Sequence, residues 1–386
     1  MNKRITLSAI FALGSFFFAL SQPTTNKKGS EYKFTVTKSI ETTPVQNQGK
    51  TGTCWSFSTL SFFESEVMRT KKIKDVKLSE MFVVRKTYPL KAENYIRMHG
   101  NAQFAEGGEP SDVIACWKNY GMVPLEVYNG NLKEMYNHGS MDSTLLSEMK
   151  KVVDPKNQQI DLAASKANVE MILDKFLGKA PEEFDYKGKK YTPKSYAAEL
   201  GLNPDDYVAL SSFTHHPFYQ PFILEVPDNW AYKQYNNVPL ADMMKTIDNA
   251  IANGYGIAWA ADVTEQYFRF KDGLALVPEG WEKMSEGEKN NCFDTPVKQQ
   301  AITQEARQLE FDNYQTQDDH GMHIIGSAKD QNGGKYYLVK NSWGTKRSEC
   351  DGYFYASEAY VMLKTISITV HKKVVAPELL KKISVK

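Results

Sequence analysis

Cys54 has the surroundings of a catalytic nucleophile. It follows the amide- and glycine-rich stretch QNQGKTGT, and the apolar residues after it recur at helical spacing, which predicts a helix over residues 54–69. At a helix N-terminus, unpaired N–H groups and the positive end of the dipole lower the pKa of a thiol. A thiol reacts as its thiolate, so this position favours nucleophilic catalysis if a base lies nearby.

A histidine and an asparagine near the C-terminus could complete such a site. His320 lies in the segment DDHGMHIIG, and a strand pattern then leads to Asn341 in the segment NSWG. An imidazole can hold the thiol proton if a third group orients it. The Asn341 amide could accept a hydrogen bond from one imidazole nitrogen and leave the other for the thiol, while Trp343 shields that bond from water.

These segments resemble three motifs of the papain-like cysteine peptidases. The stretch QNQGKTGTCWSF resembles their nucleophile segment, HGMHIIG their histidine strand and NSWG their asparagine turn. The resemblance implies a nucleophile, an oxyanion-hole side chain, a general base and acid, and an orienting amide, which are in that order Cys54, Gln48, His320 and Asn341. Gly326 matches a glycine that the family keeps six residues after the catalytic histidine, which favours His320 over His323.

The same resemblance implies a set of substrate-binding residues. The segment EGGEP resembles the strand on which the family holds an extended peptide, and Gly108 would offer its backbone to that peptide. Pro110 and Gly321 would line the pocket for the second side chain before the cut. The substrate-binding residues implied in this way are Gly107, Gly108, Pro110, Gly321 and Trp343.

Two departures from the papain pattern indicate one branch of the family. Thr51 stands where many papain-like enzymes have a disulfide cysteine. Far more of the chain separates Cys54 from His320 than the roughly 130–150 residues of the papain and cathepsin enzymes. The segments GGEPSDVIACWKNYGMVP and YNNVPLADMMKTIDNAI resemble the bleomycin hydrolase and aminopeptidase C branch, subfamily C1B, and the resemblance covers most of the chain from Pro44 onward.

The elements that must position these residues change in character along the chain. Helical patterns dominate to about residue 200, and strand-like runs follow at 222–226, 256–260, 323–326, 335–339 and 366–370. This order predicts an α+β protein with two lobes. The resemblance implies a papain-like fold, with a helical lobe, a β-barrel-like lobe and a large insertion between the catalytic cysteine and histidine.

The predicted domain boundaries follow from these patterns. They are a signal peptide at 1–21, an N-terminal arm at 22–44, a helical lobe at 45–205, a β-rich lobe at 206–370 and a C-terminal arm at 371–386. Lys3 and Arg4 precede an uncharged run, and Ala19 and Ser21 are small residues before a cleavage site, which is typical of an export signal. An uncleaved membrane anchor is the alternative. The mature protein is predicted to be periplasmic or secreted, without stable membrane insertion.

Composition narrows the partners and cofactors. The chain has 47 Lys and Arg against 46 Asp and Glu, and this balance gives no electrostatic footprint for nucleic acid. No metal-ligand spacing such as Cys-x-x-Cys or His-Glu-x-x-His occurs, so neither a metal nor another cofactor is predicted. Of the four cysteines, Cys116 is predicted to be a buried apolar residue, and pairing of Cys292 with Cys350 stays open.

The function implied by the resemblance is hydrolysis of peptide substrates through a thioester on Cys54, by an aminopeptidase of bleomycin hydrolase type. In that branch the C-terminal arm enters the cleft, and whether the Lys386 carboxylate does so here stays open. A papain-like endopeptidase and a non-catalytic peptide-binding scaffold are the alternatives. Relatives in the branch form hexamers, so a homo-oligomer is a further implication.

Overall fold

A large mixed sheet lies between helices that pack on both of its faces. The computed structural model describes residues 24–131, 134–157 and 159–384. The predicted signal peptide at 1–21 lies outside the described residues. The helices of the first half are α1 Cys54–Lys71, α2 Glu80–Arg97, α3 Pro110–Tyr120, α4 Gly139–Val152, α5 Leu162–Leu177 and α6 Pro193–Leu200.

Local sequence signals explain where these helices begin and end. The first helix, α1, is terminated by Lys72, the residue that follows it. The φ of Lys72 is left-handed at 58°, and its backbone N–H donates to the Met68 carbonyl oxygen. Ser79 caps α2 by accepting a hydrogen bond from the backbone N–H of Phe82. A capping box formed by Glu109 and Asp112 starts α3, with Pro110 at its first helical position. The predicted helix over residues 54–69 is therefore present and extends slightly further.

The second half supplies most of the strands. The strands of the chain are β1 Thr35–Ser39, β2 Phe184–Tyr186, β3 Lys189–Tyr191, β4 Tyr207–Ser211, β5 Pro221–Ile223, β6 Gln234–Asn237, β7 Ile257–Ala261, β8 Phe268–Arg269, β9 Leu274–Ala275, β10 His320–Lys329, β11 Lys335–Lys340, β12 Tyr353–Ser357 and β13 Thr365–His371. The remaining helices are α7 Leu240–Ala252, α8 Glu286–Asn291, α9 Gln304–Asp312, α10 Glu358–Lys364 and α11 Pro377–Lys382.

One mixed sheet contains all strands except the β2–β3 hairpin. Its order is β5-β6-β4-β13-β7-β10-β11-β12-β9-β8, with β1 paired to β10 outside this path. The β4–β6 and β9–β12 pairs are parallel, and the other pairs are antiparallel. The order is open, so within the described residues the expected barrel-like lobe is an open sheet rather than a closed barrel. The domain boundary at 205/206 stays a prediction.

The two faces of this sheet pack against different helices. Successive strand residues point to opposite faces. In β7, Ala258 belongs to the apolar cluster of α1 and α2, whereas its neighbours Ile257 and Trp259 belong to the cluster that contains α7, α10 and α11. The first helix therefore covers one face, and the C-terminal helix α11 lies on the other.

The N-terminal arm contributes a strand that the sequence did not indicate. Ser39 pairs with Gly326 where β1 crosses β10. A Cβ atom on Gly326 would lie 2.4 Å from the carbonyl oxygen of Lys38, so only glycine lets the two backbones approach this closely. Packing against β1 thus explains why a glycine stands at position 326, six residues after the predicted catalytic histidine.

We expect Gly326→Ala to lower the free energy of unfolding by about 1–3 kcal/mol, because the new methyl group forces β1 away from β10. Urea denaturation followed by circular dichroism measures this change. Gly287→Ala in α8 is the matched control, since the nearest atom to its Cβ would be the Ser285 hydroxyl oxygen at 4.0 Å. Equal midpoints for the two variants would contradict the close approach of β1.

Candidate active site

The first turn of α1 and the start of β10 are in direct contact. A Cβ atom on Gly321 would lie 3.1 Å from the Cα and 3.2 Å from the N of Trp55. The backbone N–H groups of Gly321 and Trp55 both hydrogen-bond the Cys54 thiol, which favours its thiolate. His320 directly precedes Gly321, so the fold brings the predicted nucleophile and the predicted base from distant parts of the chain to one place.

His320 is oriented as the sequence predicted. Its Nε2 lies 2.7 Å from the Oδ1 of Asn341, which leaves Nδ1 for the thiol. The indole of Trp343 covers the imidazole with ring centroids 4.6 Å apart. Both His320 and Asn341 are buried, at 4% and 2% exposure. The amide acceptor and the aromatic cover are therefore both present, and the catalytic roles of these residues stay predictions.

The Gln48 side chain is held next to the Asn341 turn. Its Nε2 donates to the carbonyl oxygen of Thr51 at 2.7 Å, and its Oε1 accepts from the Ser342 hydroxyl at 2.6 Å. The backbone N–H of Gln48 also donates to the Ser342 carbonyl oxygen at 2.8 Å. An amide nitrogen carries two N–H groups, so one remains for a developing oxyanion. Sequence reasoning missed Ser342, although it lies beside Asn341 in NSWG.

The residues predicted to bind substrate lie around Trp55. A Cβ on Gly108 would lie 2.9 Å from the indole of Trp55, and the same indole donates to the Glu106 carbonyl oxygen at 3.0 Å. Gly107 follows, and Pro110 begins α3 just beyond. Gly321 contacts the backbone of the same tryptophan. Trp343 lies instead at His320, so the set surrounds the predicted nucleophile from two sides.

The second histidine of β10 has a packing role. His323 is completely buried, and its Nδ1 lies 3.1 Å from the hydroxyl oxygen of Ser61 in α1. Its Nε2 occupies the space beside Gly256, where a Cβ would come within 2.3 Å. Only His320 of the two meets Asn341, which agrees with the preference for His320 drawn from the sequence.

A buried lysine beside the site escaped the sequence reasoning. The Nζ of Lys340, which directly precedes Asn341, donates to the Thr43 carbonyl oxygen at 2.6 Å and to the Ser61 hydroxyl at 2.8 Å. Burial lowers its pKa to about 7. The sequence signal that could have predicted its burial is the position of a lysine at the end of an apolar strand. Its bonds tie the N-terminal arm, α1 and the asparagine turn together.

Burial opposes charge on both predicted catalytic groups. It raises the pKa of the Cys54 thiol to about 12, against the lowering by the N–H groups of Gly321 and Trp55. It also lowers the pKa of His320 to about 4, although the bond to Asn341 acts in the opposite direction. Each group alone is therefore neutral at pH 7. A thiolate at Cys54 needs the positive charge of a protonated His320 beside it, since opposite charges stabilise each other.

We expect His320→Ala to slow alkylation of Cys54 by iodoacetamide at pH 6 by at least about a hundredfold, because the thiol then lacks the cationic partner that His320 would provide. With the pKa near 12, the variant's rate should rise about tenfold for each pH unit between pH 6 and 9. Mass spectrometry of the labelled peptide measures both effects, and Cys54→Ala identifies the site. Equal rates in wild type and variant would contradict an ion pair.

One group of side chains could hold a metal ion, and it lies apart from this site. Within the described residues, only His215, His216 and Glu225 bring enough potential ligand atoms together. Gln308 donates to the Nδ1 of His215, so the Nε2 of that ring carries the proton and donates to Glu225 at 3.1 Å. These bonds satisfy His215 and Glu225 without an ion. The predicted absence of a metal stays a prediction.

The thiols can also be placed. All four cysteines are free and buried, so Cys292 and Cys350 do not pair. Cys116 is 3% exposed inside the cluster of α1, α2 and α3, as expected for a small apolar residue. Cys54 is the one of the four that lies at the contact between α1 and the start of β10.

Comparison with known proteins identifies the family. A sequence model of the Peptidase C1-like family matches residues 12–87 and 92–386. The chain belongs to this family. The resemblance to C1B cysteine peptidases is therefore confirmed, and so is the predicted class, a cysteine-type peptidase.

Relatives and a solved structure agree with this placement. Aminopeptidase C of Listeria innocua is 24% identical over 387 residues, covering 89% of this chain and 84% of the relative. Aminopeptidase G of Lactobacillus delbrueckii subsp. lactis is 22% identical and covers 86% and 82%. The crystal structure of PepW from Lactobacillus rhamnosis superposes with a TM-score of 0.71 at 21% identity, covering 91% of this chain and 84% of that one. The predicted papain-like α+β fold is thereby confirmed.

Among the helices of the described residues, none is both long enough and apolar enough to cross a bilayer.

Proposed function

We propose that the chain is a cysteine aminopeptidase that hydrolyses peptide bonds through a thioester on Cys54. The contact of the β10 start with the first turn of α1 supports this proposal, because Gly321, which directly follows His320, donates its N–H to the Cys54 thiol. The family membership and the aminopeptidase names of the relatives support it. A peptide-binding scaffold without activity has no need for the bond between His320 and Asn341, which orients a base.

The reaction follows from the site geometry. His320 takes the proton of Cys54, and the thiolate attacks the scissile carbonyl carbon. The free N–H of the Gln48 amide and the backbone N–H of Cys54 stabilise the oxyanion. His320 then protonates the leaving amine, so that the C–N bond breaks and a thioester remains. A water molecule, deprotonated by His320, hydrolyses the thioester and restores the thiol.

The described part of the C-terminal arm packs on the sheet. Leu379 and Ile383 are buried in the apolar cluster that also contains Met243 of α7. The Nζ of Lys382 lies 4.4 Å from the ring centroid of Tyr219. The arm through Ser384 is thus held on the sheet face opposite α1. Lys386 lies outside the described residues, so whether its carboxylate enters the cleft stays open. Among the described residues, those around Cys54 are the candidates for binding a substrate ammonium group.

We expect the purified protein to release the fluorophore from alanyl-aminomethylcoumarin at least about tenfold faster than from its N-acetyl counterpart, since the free ammonium group contributes binding energy. Cys54→Ala should abolish both activities. Fluorescence assays on the two substrates measure the preference. A preference for the acetylated substrate would favour the papain-like endopeptidase, and activity that survives Cys54→Ala would contradict the thioester mechanism.

We also propose export through cleavage after Ser21, on the basis of Lys3, Arg4 and the uncharged run that follows them. Mass spectrometry of the protein from its natural source should then find an N-terminus at Gln22 in the periplasmic or extracellular fraction. An intact N-terminus in the membrane fraction would favour the uncleaved anchor. The homo-oligomer implied by the resemblance stays a prediction.

A further inference from the structure

Two acidic side chains meet at the edge of the candidate site. Glu109 is 1% exposed; its Oε2 accepts from the Tyr235 hydroxyl at 2.8 Å, while its Oε1 has no hydrogen-bond donor among the described residues. The carboxyl group of Asp318 lies within hydrogen-bonding reach of Glu109. Asp318 comes two residues before His320 and is partly exposed. The carboxyl pair thus has one buried member with an unused oxygen and one half-buried member.

No cation compensates this pair. Among the described residues, neither Glu109 nor Asp318 forms an ion pair with a lysine, arginine or histidine. A third nearby carboxylate, Asp228, adds negative charge that acts on both members of the pair. It lies against Gly107, where a Cβ would come within 2.1 Å of its Oδ2. The buried ammonium of Lys91 is engaged by the carbonyl oxygens of Ala105 and Gly107.

Two carboxyl groups within hydrogen-bonding reach of each other, one of them buried, cannot both carry a charge without a proton or a cation between them. Burial and mutual repulsion raise the pKa of Glu109, and burial raises that of Asp318 to about 7. The unliganded pair therefore shares a proton near neutral pH. A ligand that brings its own positive charge and several N–H donors would replace that proton and also satisfy the free oxygen of Glu109.

The position of the pair relative to Cys54 indicates which cation fits. Pro110 and Gly321 were predicted to line the pocket for the second residue before the cut. Pro110 directly follows Glu109 in the chain, and Gly321 lies three residues after Asp318. An aminopeptidase substrate has no second residue before the cut. Its α-ammonium group occupies the entrance of that pocket instead.

We propose that Glu109 and Asp318 form a subsite that binds the α-ammonium group of the residue attacked by Cys54. The inference rests on the proposed aminopeptidase function and assigns to side chains of the cleft the task of selecting a free N-terminus. The shared chemistry is recognition of an organic cation. A lysine or arginine side chain in the second position of a longer peptide is the other possible source of that cation.

The test compares alanyl- with propionyl-aminomethylcoumarin, which have the same shape except for the ammonium group. In wild type, kcat/KM should be higher for the alanyl substrate. Glu109→Gln and Asp318→Asn should each reduce the alanyl-to-propionyl ratio of kcat/KM about 10–100-fold, mainly through KM, which is the usual effect of losing a charged hydrogen-bond partner. An unchanged ratio in both variants would overturn the proposal.

The controls separate charge from structure. Glu286→Gln removes an exposed carboxylate of α8 and should leave the ratio unchanged. Tyr235→Phe removes only the hydroxyl that holds Glu109 and should lower the ratio by a smaller factor than Glu109→Gln. Circular dichroism checks the fold of each variant. If Glu109→Gln does not fold, Asp318→Asn carries the test alone, because Asp318 is the less buried of the two residues.

A second pair of substrates distinguishes the two sources of the cation. Acetyl-Arg-Ala- and acetyl-Leu-Ala-aminomethylcoumarin differ only in the charge of the second residue before the cut. A loss of arginine preference in the variants, with no change in the alanyl-to-propionyl ratio, would overturn the α-ammonium assignment. Failure of the proposed function is a separate result, since wild type would then cleave neither alanyl- nor other free-amine substrates in a Cys54-dependent way.

Discussion

The contact between the start of β10 and the first turn of α1 is the constraint on which the site depends. It favours a residue without a side chain at Gly321, because a Cβ there would lie 2.7 Å from the Ser58 hydroxyl oxygen and 3.1 Å from the Cα of Trp55. Through this contact a thiol from the helical half and an imidazole from the sheet half become neighbours. The same approach supplies an N–H group of β10 to Cys54, so the packing that joins the two halves also favours the thiolate.

Much of this arrangement could be predicted from the sequence, because it depends on local signals. The helix after Cys54 follows from apolar spacing, and Asn341 lies in a motif directly after a strand-like run that is buried almost throughout. The strand in the N-terminal arm could not be predicted, since Thr35–Ser39 is mostly exposed and gains its structure only by pairing with β10. The open order of the sheet likewise depends on long-range pairings that leave no local pattern.

The effect of burial on the charges in the site could not be predicted from the sequence either. The sequence motifs indicated Cys54 and His320 but not how strongly burial would disfavour a charge on each of them. Nor did any motif predict that Lys340 would be buried beside Asn341, or that the carboxyl groups of Glu109 and Asp318 would lie within hydrogen-bonding reach of each other. Such groups are recognised only when the fold shows which charges lie without a partner.

The carboxyl pair and the Cys54 thiol are coupled through their charges. Asp318 and Asp228 both raise the pKa of the Cys54 thiol, so negative charge at the proposed subsite disfavours the thiolate. An ammonium group that replaces the shared proton leaves the net charge of the carboxyl pair unchanged, so it would bind without raising the thiol pKa further. A free N-terminus would therefore contribute to binding, and the selectivity against a blocked substrate of the same shape would appear mainly in KM.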